Sequence, residues 1–186
     1  MSRLHLPTSS QRGFTLVETL VAIAILMIAI AVPFFTLQQA ITASRVARDA
    51  VIASSLAQEG AEYVYYIRDN NYLYFKQNAS YPSGGGGWLA GLTPCLTTTS
   101  PGVGCTVDPA QNSINACTSG GCSALRMNSS NLYTQSVTGT TATPFTRTVR
   151  ILSLDATTAR VTVTVSWTTG VRSYSTTVTH VLYNWL

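Results

Sequence analysis

Charge is scarce in this chain: only 10% of its 186 residues are Asp, Glu, Lys or Arg. Histidine occurs twice, and His180 is the only one beyond the first few residues. It sits in a Thr/Val run with no Ser, Cys or carboxylate partner legible beside it, so a satisfied strand histidine outweighs a catalytic one. No cluster of nucleophile, base or metal ligands can be read anywhere, which argues against an enzyme, a metal site and a cofactor. The cysteines, Cys95, Cys105, Cys117 and Cys122, have nine, eleven and four residues between them, a spacing that fits no zinc pattern. The Gly84-Gly-Gly-Gly87 run lacks the Lys-Ser/Thr of a phosphate loop and reads as a flexible turn. Asp108 with Asn112 offers two oxygen ligands, where calcium takes about six to eight.

Charge is missing altogether from Leu20 to Leu37. At 1.5 Å per residue that run reaches about 27 Å, close to the roughly 30 Å hydrocarbon core of a bilayer, and starting it at Phe14 lengthens it to about 36 Å. Glu18 is the exception, a carboxylate near the front of an apolar helix. On insertion scales a charge at the centre of a span costs about 2–3 kcal/mol, and less toward the edge. Upstream, Met1–Gly13 holds Arg3, His5 and Arg12 and no acidic residue. Positive charge there keeps that end cytoplasmic and sends the remainder outward. Ala29-Ile-Ala31 has the form of a signal cleavage site but lies within the apolar run, only just before Pro33. The alternative cut, Gly13–Phe14, leaves the span in the mature protein.

Gly13-Phe-Thr-Leu-Val-Glu18 followed by an apolar helix resembles the class III leader of type IV pilins and type II secretion pseudopilins. The resemblance implies a prepilin peptidase that cuts after Gly13 and methylates the new amino terminus at Phe14. It also implies that Glu18 pairs with the Phe14 amino terminus of a neighbouring subunit and sets filament register. Physically, two such charges offset each other's desolvation in an apolar bundle. The bland alternative places Glu18 merely at the membrane interface.

Past Leu37 the helix is expected to continue, because Gln38–Arg68 has no proline and only Gly60 as glycine. Ala40, Ala43, Ala47, Ala50, Ser54, Ala57, Ala61, Val64 and Ile67 recur at steps of three and four, one stripe on a helix. Together this makes one helix of roughly 54 residues, about 80 Å long, with Pro33 expected to kink it. Asp69-Asn-Asn71 reads as its stop signal. The preceding Ala57-Gln-Glu-Gly-Ala-Glu62 and Ile67-Arg-Asp69 are similar to PilV-like minor pilins. Glu59, Glu62 and Asp69 read as a solvated face.

Tyr72–Asn131 reads as a long irregular region stapled by disulfides, since export places the cysteines where disulfides form. Cys95–Cys105 and Cys117–Cys122 are local pairings, but three connectivities exist and the sequence does not choose. The last third alternates with period two. Phe145–Leu152, Arg160–Trp167 and Arg172–Trp185 are three strands in an antiparallel meander, with Val161, Val163, Val165 and Trp167 on one face.

The fold class expected is α+β and pilin-like: a long N-terminal helix, its first half spanning the membrane and its second half packed on an antiparallel meander. The expected division is a leader at 1–13, a transmembrane and filament-core helix at 14–37, a stem at 38–70 and an exported domain at 71–186, with loop 71–131 and sheet 132–186. The function expected is a minor pilin of a type IV pilus, the alternatives being a type II secretion pseudopilin or a signal-anchored surface protein. Expected partners are other pilin subunits, prepilin peptidase, an inner-membrane assembly platform and the membrane itself. The precursor would sit in the inner membrane, and the product in an extracellular filament. The formal charge is +4. Beyond Asn71 the bases Lys76, Arg126, Arg147, Arg150, Arg160 and Arg172 outnumber Asp108 and Asp155. Such an excess could touch nucleic acid, but a solvated face is the stronger reading.

Overall fold

The computed structural model describes residues 13–83, 85–97 and 102–184. Arg3, His5 and Arg12 of the leader lie outside the described residues, as do Gly84, Pro101 and Trp185. The chain divides into two compact units, Met1–Ser44 and Arg45–Leu186. Helix α1, Leu16–Asn78, starts in the first and ends in the second.

Within the second unit the small-residue stripe is used from Ala50 onward. Ala57, Ala61 and Val64 are buried, joined by Ala53, Leu56 and Tyr63, whereas Ala40, Ala43 and Ala47 stay exposed. The helix passes its expected stop and runs to Asn78. Asn71 does not terminate it because its side chain serves the core, donating from Nδ2 to Trp88 O at 3.1 Å and Ala90 O at 2.8 Å. The chain leaves the helix at Ala79, whose φ of 51° is left-handed, with Ala79 N donating to Phe75 O at 2.8 Å.

Among the described residues eight strands follow: β1 Leu96–Thr97, β2 Cys105–Asp108, β3 Ser113–Ala116, β4 Ala124–Met127, β5 Tyr133–Thr134, β6 Thr141–Ser153, β7 Thr158–Thr169 and β8 Arg172–Tyr183. The meander β6–β7–β8 is antiparallel as expected, with Val149 opposite Val163 and Val163 opposite Val178. The 71–131 region is less irregular than expected. It holds β1 to β4 and two short 3-10 turns, Gly87–Leu89 and Thr93–Cys95. Those strands have two to four residues each, too few for alternation to show.

Strand β6 organises the sheet. One edge pairs with β7; along the other lie β4 at Thr141–Thr146, β2 at Val149 and the parallel β1 at Ile151–Leu152. Gly104 lets β2 approach, since a Cβ there would sit 2.7 Å from Val149 O, and its φ of +82° suits only glycine. Phe145, Val149 and Ile151 of β6, with Val161, Val163, Val165 and Trp167 of β7, face inward and are buried. Burying each aliphatic side chain contributes about 1.5–3 kcal/mol relative to leaving it exposed. Helix and sheet share this core. Gly60 makes close contact with the sheet possible: a Cβ there would stand 3.0 Å from Arg147 Cδ and 3.1 Å from Val163 Cγ1.

Candidate processing and assembly site

Gly13, Phe14 and Thr15 precede the helix in non-helical backbone, and all three are exposed, Phe14 at 79%. A peptidase needs a scissile bond free of helical hydrogen bonding, and Gly13–Phe14 meets that requirement. The helix begins where it does because Thr15 caps it. Glu18 N donates to Thr15 Oγ1 at 3.3 Å and Thr19 N to Thr15 O at 3.2 Å. Thr15-Leu-Val-Glu18 has the Thr-x-x-Glu form of a capping box, and Glu18 places its charge in the first turn, near the positive end of the helix dipole. The Thr-x-x-Glu spacing that signals this cap is present in the sequence, overlapping the Gly-Phe-Thr-Leu-Val-Glu pattern. It gives Glu18 a local structural task in the single chain.

Beyond this cap the helix is apolar on all sides. Its most apolar eighteen-residue window has a mean hydropathy of 2.8 and no residue buried in the molecule, so it is long and apolar enough to cross a bilayer. Leu26, Ile30 and Phe34 are each about 60% exposed. A contiguous apolar surface of this extent is unusual on a water-soluble monomer and calls for an apolar surrounding. The hydroxyls in it are satisfied internally: Thr19 Oγ1 donates to Leu16 O at 2.9 Å and Thr36 Oγ1 to Pro33 O at 2.8 Å. Pro33 lies inside the helix, where it supplies no N–H to the carbonyl four residues earlier.

In the second unit the cysteines pair as Cys95–Cys105 and Cys117–Cys122. The first joins the 3-10 turn before β1 to the start of β2; the second closes the link between β3 and β4. Asp108 and Asn112 are occupied by protein donors. Asp108 is 1% exposed and accepts from Gln111 N at 3.2 Å, Thr134 Oγ1 at 2.7 Å and Gln135 N at 2.6 Å. Asn112 Oδ1 accepts from Tyr63 OH at 2.9 Å. His180 meets the Tyr65 ring edge-on at 5.6 Å between centroids.

The distal bases do not form one patch. Arg147 is fully buried; it donates to Leu56 O at 3.0 Å, to Val107 O at 2.8 Å and to the Glu59 carboxylate. Arg126 is held by Thr140, and Arg150 donates to Gly102 O. Of the three helix carboxylates, Glu59 pairs with Arg147 and Asp69 with Arg68 at 2.7 Å, so only Glu62 fits a purely solvated reading.

An exposed Gly-Phe bond, a capped helix start with glutamate in its first turn, and an unburied apolar helix occur in one continuous segment. Residues 8–32 match the prokaryotic N-terminal methylation motif. The motif supports a type IV pilin-like relationship, covering pilins and pseudopilins alike, and the α+β arrangement of a long helix and antiparallel sheet agrees with it. No curated protein and no solved structure matches the chain.

Proposed function

We propose that this chain is a minor pilin: a single-pass precursor cut after Gly13, methylated at Phe14 and assembled into a type IV pilus through its apolar helix. The observation that carries the reading is the methylation motif running into a helix whose most apolar window has no buried residue. In a bilayer that surface is solvated by lipid; in a filament it is solvated by the helices of other subunits, so transfer between the two costs little hydrophobic free energy. Glu18 then meets the Phe14 amino group of a neighbour, a pairing that fixes axial register, and Pro33 supplies a place where the helix can bend. The Arg45–Leu186 unit is the exported part, and its paired cysteines suit an oxidising compartment. Prepilin peptidase and an inner-membrane assembly platform are the partners the reading requires.

The choice of pilus over secretion pseudopilus rests on the PilV-like Gln58–Glu62 and Ile67–Asp69 segments. Glu18→Ala tests the assembly mechanism. It should leave the precursor in the membrane and cut its recovery in sheared filaments at least tenfold. Wild-type recovery would remove Glu18 from the register role. Recovery of wild-type protein only from secretion pseudopili would move the chain to the other class.

A further inference from the structure

The Arg45–Leu186 unit contains a cleft of about 420 Å³ that the filament reading does not use. Its floor is one face of α1, with Tyr63, Tyr66, Ile67 and Asn70. One wall is made by Pro82, Ser83, Ala90 and Gly91; the other is the β2–β3 hairpin, with Asn112 and Ile114.

The walls are fixed to the floor by hydrogen bonds, buried on one side and part-buried on the other. On one side Asn71, 6% exposed, ties down Trp88 O and Ala90 O. On the other, Tyr63 OH holds Asn112, whose φ of 49° is left-handed. Burial, then Tyr66 and Asp108, push the Tyr63 hydroxyl above its ordinary pKa and keep it a donor. The Cys95–Cys105 disulfide joins the chain just past the first wall to the strand that begins the second. The cleft is therefore preformed, and its volume lies within the roughly 300–1,000 Å³ of small-molecule sites.

Its chemistry is specific in what it omits. Among the described residues, no Asp, Glu, Lys, Arg or His lines it. Tyr66 is 56% exposed, and its ring stacks on that of Tyr63, centroids 6.1 Å apart and planes 25° apart. Among the described residues, the Tyr66 hydroxyl and the side chains of Asn70 and Ser83 make no protein hydrogen bond. A flat aromatic face beside amide and hydroxyl groups matches a ring that is apolar on its face and hydroxylated around its rim. We propose that this cleft binds a neutral pyranose unit of a glycan, with the sugar face on Tyr66 and its hydroxyls on Asn70, Ser83 and the Asn112 Nδ2, whose Oδ1 is taken by Tyr63. An anionic ligand would find no cation here, and an apolar one would leave the amides unpaired.

Saturation-transfer difference NMR on the full-length protein tests this, in a zwitterionic detergent because a glycoside headgroup would compete. The probes are the methyl pyranosides of glucose, galactose and mannose, and N-acetylglucosamine, with glucuronate as the charged counterpart. At least one neutral sugar should show ring-proton transfer, reduced fivefold or more in Tyr66→Ala and threefold or more in Asn70→Ala. It should be unchanged in Tyr74→Ala, which removes an exposed aromatic of the same helix outside the cleft. Asn70 is an exposed helix position where alanine is favourable, so that variant separates lost contact from lost fold. Absence of transfer from every neutral sugar, equal transfer in Tyr66→Ala and Asn70→Ala, or stronger transfer from glucuronate would each overturn the proposal. None of these outcomes bears on processing at Gly13.

Discussion

The Arg147 guanidinium on β6 donates to the Glu59 carboxylate on α1 across 88 residues of sequence. The arginine is fully buried while the Glu59 side chain is 43% exposed, so the pair joins the core to its rim. Because Arg147 also holds Leu56 O and Val107 O, it links helix, β6 and β2. Arg147→Ala should lower stability by about 3–5 kcal/mol, combining a cavity with orphaned carbonyls. Glu59→Gln should cost only about 1–2 kcal/mol, since its exposed carboxylate is partly screened. Thermal unfolding followed by circular dichroism ranks the two, and the reverse order would remove Arg147 from its central place.

Gly60 lies against the Arg147 stem. Alanine would gain about 1 kcal/mol of helix propensity, but its Cβ would meet Arg147 Cδ at 3.0 Å and Val163 Cγ1 at 3.1 Å. Gly60→Leu cannot be accommodated without separating helix from sheet, and should destabilise by about 1–3 kcal/mol or more. An unfolding midpoint equal to wild type would show that the contact is looser than these distances.

The Cys95–Cys105 bridge closes a loop across a separation of 10 residues, and Cys117–Cys122 one of 5. Removing either should cost about 2–3 kcal/mol by loop entropy, with Cys95→Ser/Cys105→Ser the more damaging because Cys95 and Cys105 are core residues. Unfolding in the presence and absence of reductant measures both.

Asp155 in the β6–β7 turn is exposed, and its carboxyl is held below the usual carboxylate range, chiefly by the Thr157 backbone N–H and then by the Thr157 hydroxyl, at 2.7 and 2.9 Å. A depressed folded pKa contributes stability above the unfolded value, about 3.9, that is lost as pH falls through the folded one. The Asp155 carboxyl resonance should therefore titrate below the ordinary aspartate midpoint, and Thr157→Ala should raise that midpoint partway back.

Much of this was legible in the residues. The alternation Val161, Val163, Val165, Trp167 marks an inward face, and all four side chains are buried. The same parity places Arg147 between Phe145 and Val149 on the inner face of β6, so its burial could have been read from the strand pattern. Its partners could not, because they come from α1 and β2, far away in sequence. The helix end was misplaced because Asn71 reads locally as a terminator while tertiary structure uses it to hold the Trp88–Ala90 segment. Strands of two to four residues carry no period of their own; β1, β2 and β4 are paired by β6, and β3 and β5 join the sheet through β2 and β4. At the N-terminus, Thr15 and Glu18 carried two messages, a capping pattern and a processing motif.

The most direct measurement of the central claim is mass spectrometry of filaments sheared from cells producing the full chain. The account predicts an N-terminal peptide that begins at Phe14 and carries one added methyl group. Filament-associated protein beginning at Met1, or trimmed after Ala31, would contradict it.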